Sequence, residues 1–465
     1  MSAPRLLEMP AFSEFIARMT ARGAAPAVIS RAGELSYAAL LRASDRWIDR
    51  LQEHGVGAGT VCGYIGEFSP ATIALFIALM RQRAIAVPLT QNAEPDLDRF
   101  AEIAGIERLI RFDRDGPTFS DLGVIAANPL MDDFRRIGHP GLVVFTSGST
   151  GRPKGILHDL ERVLGKFASE RQGWRTALFL MMDHFGGMNT LLSTLAYGGV
   201  AICLEQRSPE AVCQAIEQGR AELLPTTPTF LNMILASGAW RHHELSTLRL
   251  ITYGTEPMPE ATLRRIREVM PQAEFKQTYG LSELGVLHSQ SPDPGSLWLR
   301  IGGKGFETRV VEGMLHIRLA YSLVGYLNAP NPIDADGWMN TGDLVEEKAG
   351  LIRFVGRASE VINVGGQKVF PMEVESVLLE ARNVTEATVF GVRHPLLGQA
   401  VRALVSVAEP ETEERLAERL KDHCRARLAK YKVPLRFDVA ELGAHVGERA
   451  KKRRVVMGPV GRQDG

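Results

Sequence analysis

The chain has 465 residues, beyond the size at which a single hydrophobic core keeps growing, so two or more domains are expected. Lys plus Arg and Asp plus Glu balance at 54 each, which excludes a net field drawing the whole chain to nucleic acid or to an anionic membrane. A hydrophobic fraction of 45% suits a globular protein, and four scattered cysteines (Cys62, Cys203, Cys213, Cys424) with no CxxC pair argue against a zinc site or a disulfide framework.

Residues 1–8 lack the long uncharged apolar core of a secretory leader, and the most apolar stretch, 72–80, is too short to cross a bilayer. A soluble cytoplasmic protein is expected. Residues 37–51 place Tyr37, Leu40, Leu41, Trp47, Ile48 and Leu51 on one stripe and predict an amphipathic helix. Residues 71–82 predict a second helix, apolar nearly all round, followed by a buried strand at 84–89. Short apolar strands at 142–145, 200–204 and 248–252 then alternate with helical stretches, the pattern of α/β layers with parallel strands.

The character changes after Gly356. A Val- and Gly-rich stretch precedes Pro371, which opens a helix through residue 381. Strands are expected at 387–392 and 403–407, and a helix within 410–428, where Leu416, Leu420, Cys424 and Leu428 recur four apart. Together these predict a separate α+β domain of about 110 residues.

The expected strand at 142–145 runs into Thr146-Ser-Gly-Ser-Thr-Gly-Arg-Pro-Lys-Gly155. Glycines let backbone N–H groups converge on phosphate oxygens, hydroxyls add donors, and Arg152 and Lys154 add positive charge. This is not a Walker loop. Counting from Gly148, that motif needs Gly where Pro153 stands and Ser or Thr where Gly155 stands.

Further stretches follow in order. Tyr253-Gly-Thr-Glu-Pro-Met258 ends an expected strand. Thr278-Tyr-Gly-Leu-Ser-Glu283 sets an aromatic, a hydroxyl and a carboxylate on one turn, suited respectively to a base, a phosphate and Mg²⁺. Gly337-Trp-Met-Asn-Thr-Gly-Asp343 and then Gly356-Arg357 supply a carboxylate for paired hydroxyls and a planar cation. Val364-Gly-Gly-Gln-Lys-Val-Phe-Pro-Met-Glu-Val-Glu375 and Arg449-Ala-Lys-Lys-Arg-Arg454 complete the series.

This ordered set resembles the adenylate-forming superfamily: acyl- and aryl-CoA synthetases, firefly-type luciferases and peptide-synthetase adenylation domains. The resemblance spans residues 35–454 and points closest to an acyl- or aryl-CoA ligase. It implies a large N-terminal layered α/β domain (1–356) holding the ATP and acyl sites, and a smaller mobile α+β domain (357–465). It implies ATP phosphates held by Thr146, Ser147, Gly148, Thr150 and Lys154. Gly254, Thr255 and Glu256 would border the adenine and the acyl pocket, and Tyr279 would stack on adenine beside Gly280. Ser282, where most relatives have Thr, would reach the α-phosphate, and Glu283 would hold Mg²⁺. Asp343 would take the ribose hydroxyls and Arg357 ribose or phosphate oxygens.

By the same resemblance, the histidine of Met181-Met-Asp-His-Phe-Gly-Gly187, His184, lies between the acyl pocket and a thiol tunnel. Adjacent side chains diverge, so either His184 or Asp183 should line the pocket, and His184 is preferred. A lysine bridging carboxylate and α-phosphate would be Lys451, with Lys452 its rival, although the usual preceding glycine is replaced by Ala450. The hinge departs too, with Ser359 where many relatives carry Asp or Lys. The implied reaction activates a small carboxylic acid with ATP and transfers it to coenzyme A. The alternatives are loading of an amino or aryl acid onto a carrier protein's phosphopantetheine, a nucleotide-binding relative without catalysis, and a luciferase-like oxidative enzyme.

Overall fold

The computed structural model describes residues 9–113, 116–123, 128–147, 152–293, 295–302, 305–319, 323–441 and 443, with the side chains of Ser147 and Leu319 outside that description. Among these residues, two seven-stranded sheets form the larger part. One runs Glu274–Gln277, Leu250–Tyr253, Leu223–Thr226, Arg175–Ala177, Val200–Ile202, Pro26–Ser30, Gly33–Ser36, all parallel until the closing hairpin. In the other, the inner strands Gly141–Ser147, Ile85–Leu89, Val61–Ile65 and Arg108–Asp113 are parallel and antiparallel strands close both edges.

The expected helices form where the periodicity put them. Helix Tyr37–Glu53 buries Tyr37, Leu40, Trp47 and Leu51, and Ser36 caps it by accepting from the Ala39 N–H. Helix Pro70–Arg81 buries every residue from Thr72 to Met80, because it is sandwiched rather than half-exposed, and a Ser69–Thr72 capping box starts it. Strand Ile85–Leu89 is buried throughout, as its unbroken apolar run requires between two layers.

Residues 306–357 depart from the expected alternation. Phe306–Val311, Met314–Leu319, Trp338–Lys348 and Leu351–Arg357 form a four-stranded antiparallel sheet. Polar residues on its open face mask the apolar pattern, so these strands were not foreseen.

The smaller C-terminal part is a five-stranded sheet packed against helices Pro371–Glu380 and Glu413–Arg425. Strands Val384–His394 and Gly398–Val407 form its long hairpin. Leu416, Leu420 and Cys424 are buried, as their spacing predicts. Gly365 (φ 56°) and Gly366 (φ 86°) make a two-residue turn between Ile362–Val364 and Gln367–Val369, a conformation that favours glycine at both positions. The buried Glu375 accepts from the Val389 N–H at 2.9 Å and so anchors its helix on the sheet. No described helix is long and apolar enough to cross a membrane.

Candidate active site

The described arms of the 146–155 stretch belong to two paired strands. Strands Gly141–Ser147 and Pro153–Asp159 pair antiparallel from Gly141 opposite Asp159 to Ser147 opposite Pro153. A Walker loop instead leads from a strand into a helix, so the geometry agrees with the spacing argument. Gly148 and Thr150 lie outside the described residues, and Ser147 is placed by its backbone alone. Asn328 steadies the hairpin arm: the Gly155 N–H donates to its Oδ1 at 3.1 Å, and its Nδ2 donates to the Pro153 carbonyl at 2.9 Å.

Thr146 and Lys154 are cross-strand partners. The Lys154 ammonium lies 5.0 Å from the ring centre of Tyr326. The Tyr326 hydroxyl in turn donates to Oε1 of Glu283. Burial, then the Glu283 carboxylate, hold the Tyr326 phenol in its protonated, donating form. Sequence reading missed Tyr326 because the contact spans 43 residues and rests on the edge pairing of Gly325–Tyr326 with Pro153–Asp159. Among the described residues no group of three or more His, Cys, Asp or Glu gathers to hold a metal. A single oriented carboxylate such as Glu283 fits Mg²⁺, which keeps waters and takes most of its oxygens from bound phosphates.

The second signature folds into a short hairpin, Tyr279–Leu281 with Gly285–Leu287. Tyr279 stacks one face on Phe354 (centroids 4.6 Å apart, planes 15° apart), and its hydroxyl donates to Oδ2 of Asp343 at 2.7 Å. Arg357 stands directly across the ladder from Asp343 and donates from Nε to Oδ1 at 3.1 Å. Burial raises the Asp343 pKa, opposed by Arg357 and Tyr279. Each carboxylate oxygen has capacity for a second hydrogen bond, which suits the two hydroxyls of a ribose. Arg357, whose side chain is 52% exposed, thus orients the expected ribose acceptor as well as presenting its own charge.

Two cavities meet here. The first, about 590 Å³ including its open mouth, is lined by Asp343, Arg357, Tyr279, Gln277, Glu256 and Glu360 among others. The second, about 470 Å³ on the same basis, is lined by His184, Phe185, Thr226, Thr252, Ser282 and Val286 among others. Thr255, Thr278, Tyr279, Gly280 and Leu281 line both, as a shared wall. Gly254, which lines the second cavity, lets the wall close up: a Cβ there would stand 2.5 Å from the Thr278 carbonyl oxygen. Thr255 holds φ at 70°, a conformation a β-branched residue rarely adopts, and strain of this kind clusters at ligand sites.

Glu256 is tied to a neighbouring helix. Its Oε1 accepts from the Thr229 N–H at 2.7 Å, in the first turn of helix Pro228–Ser237, where the helix dipole favours a carboxylate. It lines only the cavity that contains Asp343. His184 is the residue before helix Phe185–Ala196, and its Nδ1 accepts from the Gly186 N–H at 3.1 Å, which in the neutral ring leaves the proton on Nε2. It lines the second cavity, and Asp183 is not among the described residues lining either cavity.

Gln277 was not foreseen. It is 6% exposed, lines the first cavity, and its Oε1 has no partner among the described residues. The available signal was a polar residue on the buried face of a strand, two positions from the equally buried Phe275. Ser359 follows Arg357 within the turn Ala358–Glu360 and is exposed. Lys451, Lys452 and Arg454 lie outside the described residues.

Residues 132–312 match the model of the AMP-binding enzyme family, and residues 373–442 match that of the AMP-binding enzyme C-terminal domain. A Mycobacterium tuberculosis 3-[(3aS,4S,7aS)-7a-methyl-1,5-dioxo-octahydro-1H-inden-4-yl]propanoyl:CoA ligase is 31% identical over 310 residues, 63% of this chain and 61% of that enzyme. A feruloyl-CoA synthase of an Amycolatopsis species is 29% identical over 445 residues, 86% of this chain and 89% of that enzyme. The crystal structure of an anthranilate CoA ligase in complex with anthranoyl-AMP has the same fold: TM-score 0.82 over 96% of this chain and 97% of that one, at 20% identity. With both family models matched in chain order and the fold matched nearly end to end, this chain belongs to the adenylate-forming, AMP-binding enzymes.

Proposed function

We propose that this chain is an AMP-forming acid–thiol ligase, which activates a carboxylic acid as its acyl-adenylate and passes the acyl group to coenzyme A. The observation that carries the reading is the shared wall: a nucleotide-type cavity ending in Asp343 and an acyl-type cavity beside His184 meet at Thr255 and residues 278–281. An acyl-adenylate has its two halves joined at one phosphate, and a bent pair of adjoining cavities suits that shape.

In this reading the ribose hydroxyls bind Asp343, and Gln277 offers its buried Oε1 to a donor on the base. The face of Tyr279 away from Phe354 is the stacking surface for adenine. The 146–155 stretch, through Thr146, Ser147, Gly148, Thr150 and Lys154, holds the leaving phosphates. Glu283, oriented by Tyr326, would hold the Mg²⁺ that comes with ATP and offsets phosphate charge. Ser282, which lines the acyl-side cavity, reaches toward the α-phosphate at the junction. The substrate carboxylate attacks the α-phosphorus in line and pyrophosphate leaves, with Lys451 placing positive charge on the oxygens that gain it.

AMP is a better leaving group than oxide, so a thiol then attacks the acyl carbon and AMP departs. Rotation of the smaller domain about Ser359, just past the end of strand Leu351–Arg357, would exchange Lys451 for the 364–369 hairpin between the two steps. The relatives named as CoA ligases support coenzyme A as the acceptor. The test supplies ATP, Mg²⁺ and a panel of acids with and without coenzyme A. Acid-dependent pyrophosphate release followed by coenzyme A-dependent loss of free thiol supports the reading, and pyrophosphate release indifferent to every acid refutes it.

A further inference from the structure

We infer that the acyl cavity takes a compact acid whose only charge is its reacting carboxylate and which bears one hydrogen-bonding substituent, and that Thr226 is the residue that reads it. This rests on the ligase reading and narrows its substrate class.

Thr226 ends strand Leu223–Thr226, is 3% exposed, lines the cavity, and its Oγ1 has no hydrogen-bond partner among the described residues. A buried hydroxyl without a partner is costly and uncommon, and one facing a ligand cavity is explained when the ligand supplies the partner. A hydroxyl both donates and accepts, so the matching substituent is itself a hydroxyl, an amine or a carbonyl. Leu180, Phe185, Leu281 and Val286 give the rest of the cavity its apolar walls, which suit an aromatic ring or a short chain.

Charge and size exclude other classes. Among the described lining residues none is Asp, Glu, Lys or Arg. An ammonium or a second carboxylate on the substrate would therefore enter an apolar space with no counter-ion. The nearby cation, Lys166, is not among the described lining residues: its Nζ donates to the Leu284 carbonyl at 3.3 Å, beside Phe185 and Gly285. A cavity of about 470 Å³, part of it open mouth, best matches a compact acid. Thr255 narrows it further at the junction, where its β-branched side chain stands at a backbone angle that glycine would adopt more easily.

The experiment compares kcat/KM for acid-dependent pyrophosphate release across benzoic acid, its hydroxy and amino derivatives, succinic acid, phenylalanine and dodecanoic acid. Wild-type enzyme should prefer a substituted benzoic acid over benzoic acid by about tenfold or more. Thr226→Val should erase that preference by lowering only the substituted acid, leaving benzoic acid within about twofold, while Thr226→Ser restores it. Best turnover with succinate, phenylalanine or dodecanoate overturns the inference but keeps the ligase reading, as does a wild-type enzyme indifferent to the substituent. A Thr226→Val loss equal for all acids, not rescued by Thr226→Ser, also overturns it. Release with no acid at all overturns the ligase reading itself.

Discussion

The Tyr279 hydroxyl donates to Oδ2 of Asp343 at 2.7 Å, joining two signatures 64 residues apart in sequence. The bond lies inside the protein, and burial raises the pKa of the phenol, so Tyr279 remains the donor across the physiological range. The Asp343 carboxylate is thus held from one side by Tyr279 and from the other by Arg357.

Tyr279→Phe removes that donor and leaves a buried carboxylate oxygen one partner short. It should cost about 1–2 kcal/mol in urea unfolding and raise KM for ATP several-fold with kcat little altered. A variant with unchanged midpoint and unchanged KM would show that Asp343 needs no such support.

Lys166 sets a pH dependence of stability. Burial lowers its pKa from 10.5 to about 8 in the fold. Between those pH values the unfolded chain holds the proton and the fold does not, so the Lys166 contribution to unfolding free energy rises with pH across that window, against the opposite trend that the buried Cys62, Cys203 and Cys213 thiols set above pH 9. Below it, the fold carries the full cost of a buried ammonium. Lys166→Met should flatten the rise and stabilise the protein at pH 7 by up to roughly 3 kcal/mol. Urea unfolding of both proteins at pH 7 and pH 10 measures it, and parallel curves would contradict it.

Gly285 and Thr255 bracket the acyl cavity with opposite demands. Gly285 sits at φ 73°, and a Cβ there would lie 2.5 Å from the Lys166 Nζ and 2.9 Å from the Phe185 ring. Gly285→Ala should therefore lower thermal stability and acid turnover together, the backbone strain alone costing about 1 kcal/mol. Thr255→Gly should leave the melting temperature unchanged or higher and shift relative kcat/KM toward bulkier acids. A fall in stability with no change of preference would mean that Thr255 does not limit the cavity.

Tyr326→Phe frees Glu283 from its hydroxyl donor and takes the phenol from beside Lys154. The Mg²⁺ concentration for half-maximal activity should rise several-fold, because a carboxylate released from its outer hydrogen bond holds a metal less well. Identical Mg²⁺ titrations for both proteins would refute that role.

Lys451→Ala should abolish acid-dependent pyrophosphate exchange while thioester formation from supplied acyl-AMP persists, and Lys452→Ala should spare both. The reverse ranking assigns the bridging role to Lys452.

Much of this site was legible in the sequence because its parts are short strings with strict local demands. The run 146–155, the turn Tyr279–Glu283 and Asp343 with Arg357 were all recognisable from residue type and spacing. The α/β alternation likewise followed from apolar runs such as Ile85–Leu89. What escaped were relationships made by tertiary pairing. Tyr326 reaches Glu283 only because a two-residue strand adds to the edge of a sheet. Gln277 and Thr226 are single polar residues at strand ends, and nothing local marks them as facing cavities. Nor could the sequence show that the Glu256 carboxylate accepts from the Thr229 N–H in the first turn of helix Pro228–Ser237.

In the proposed ligase reaction the acid's own oxygen becomes bonded to the α-phosphorus. Turnover of an acid labelled with ¹⁸O in its carboxylate, with ATP, Mg²⁺ and coenzyme A, tests it through the mass of the products. Adenylation followed by thiol attack leaves one labelled oxygen in AMP and none in pyrophosphate. Unlabelled AMP, or label appearing in inorganic phosphate beside ADP, would contradict it.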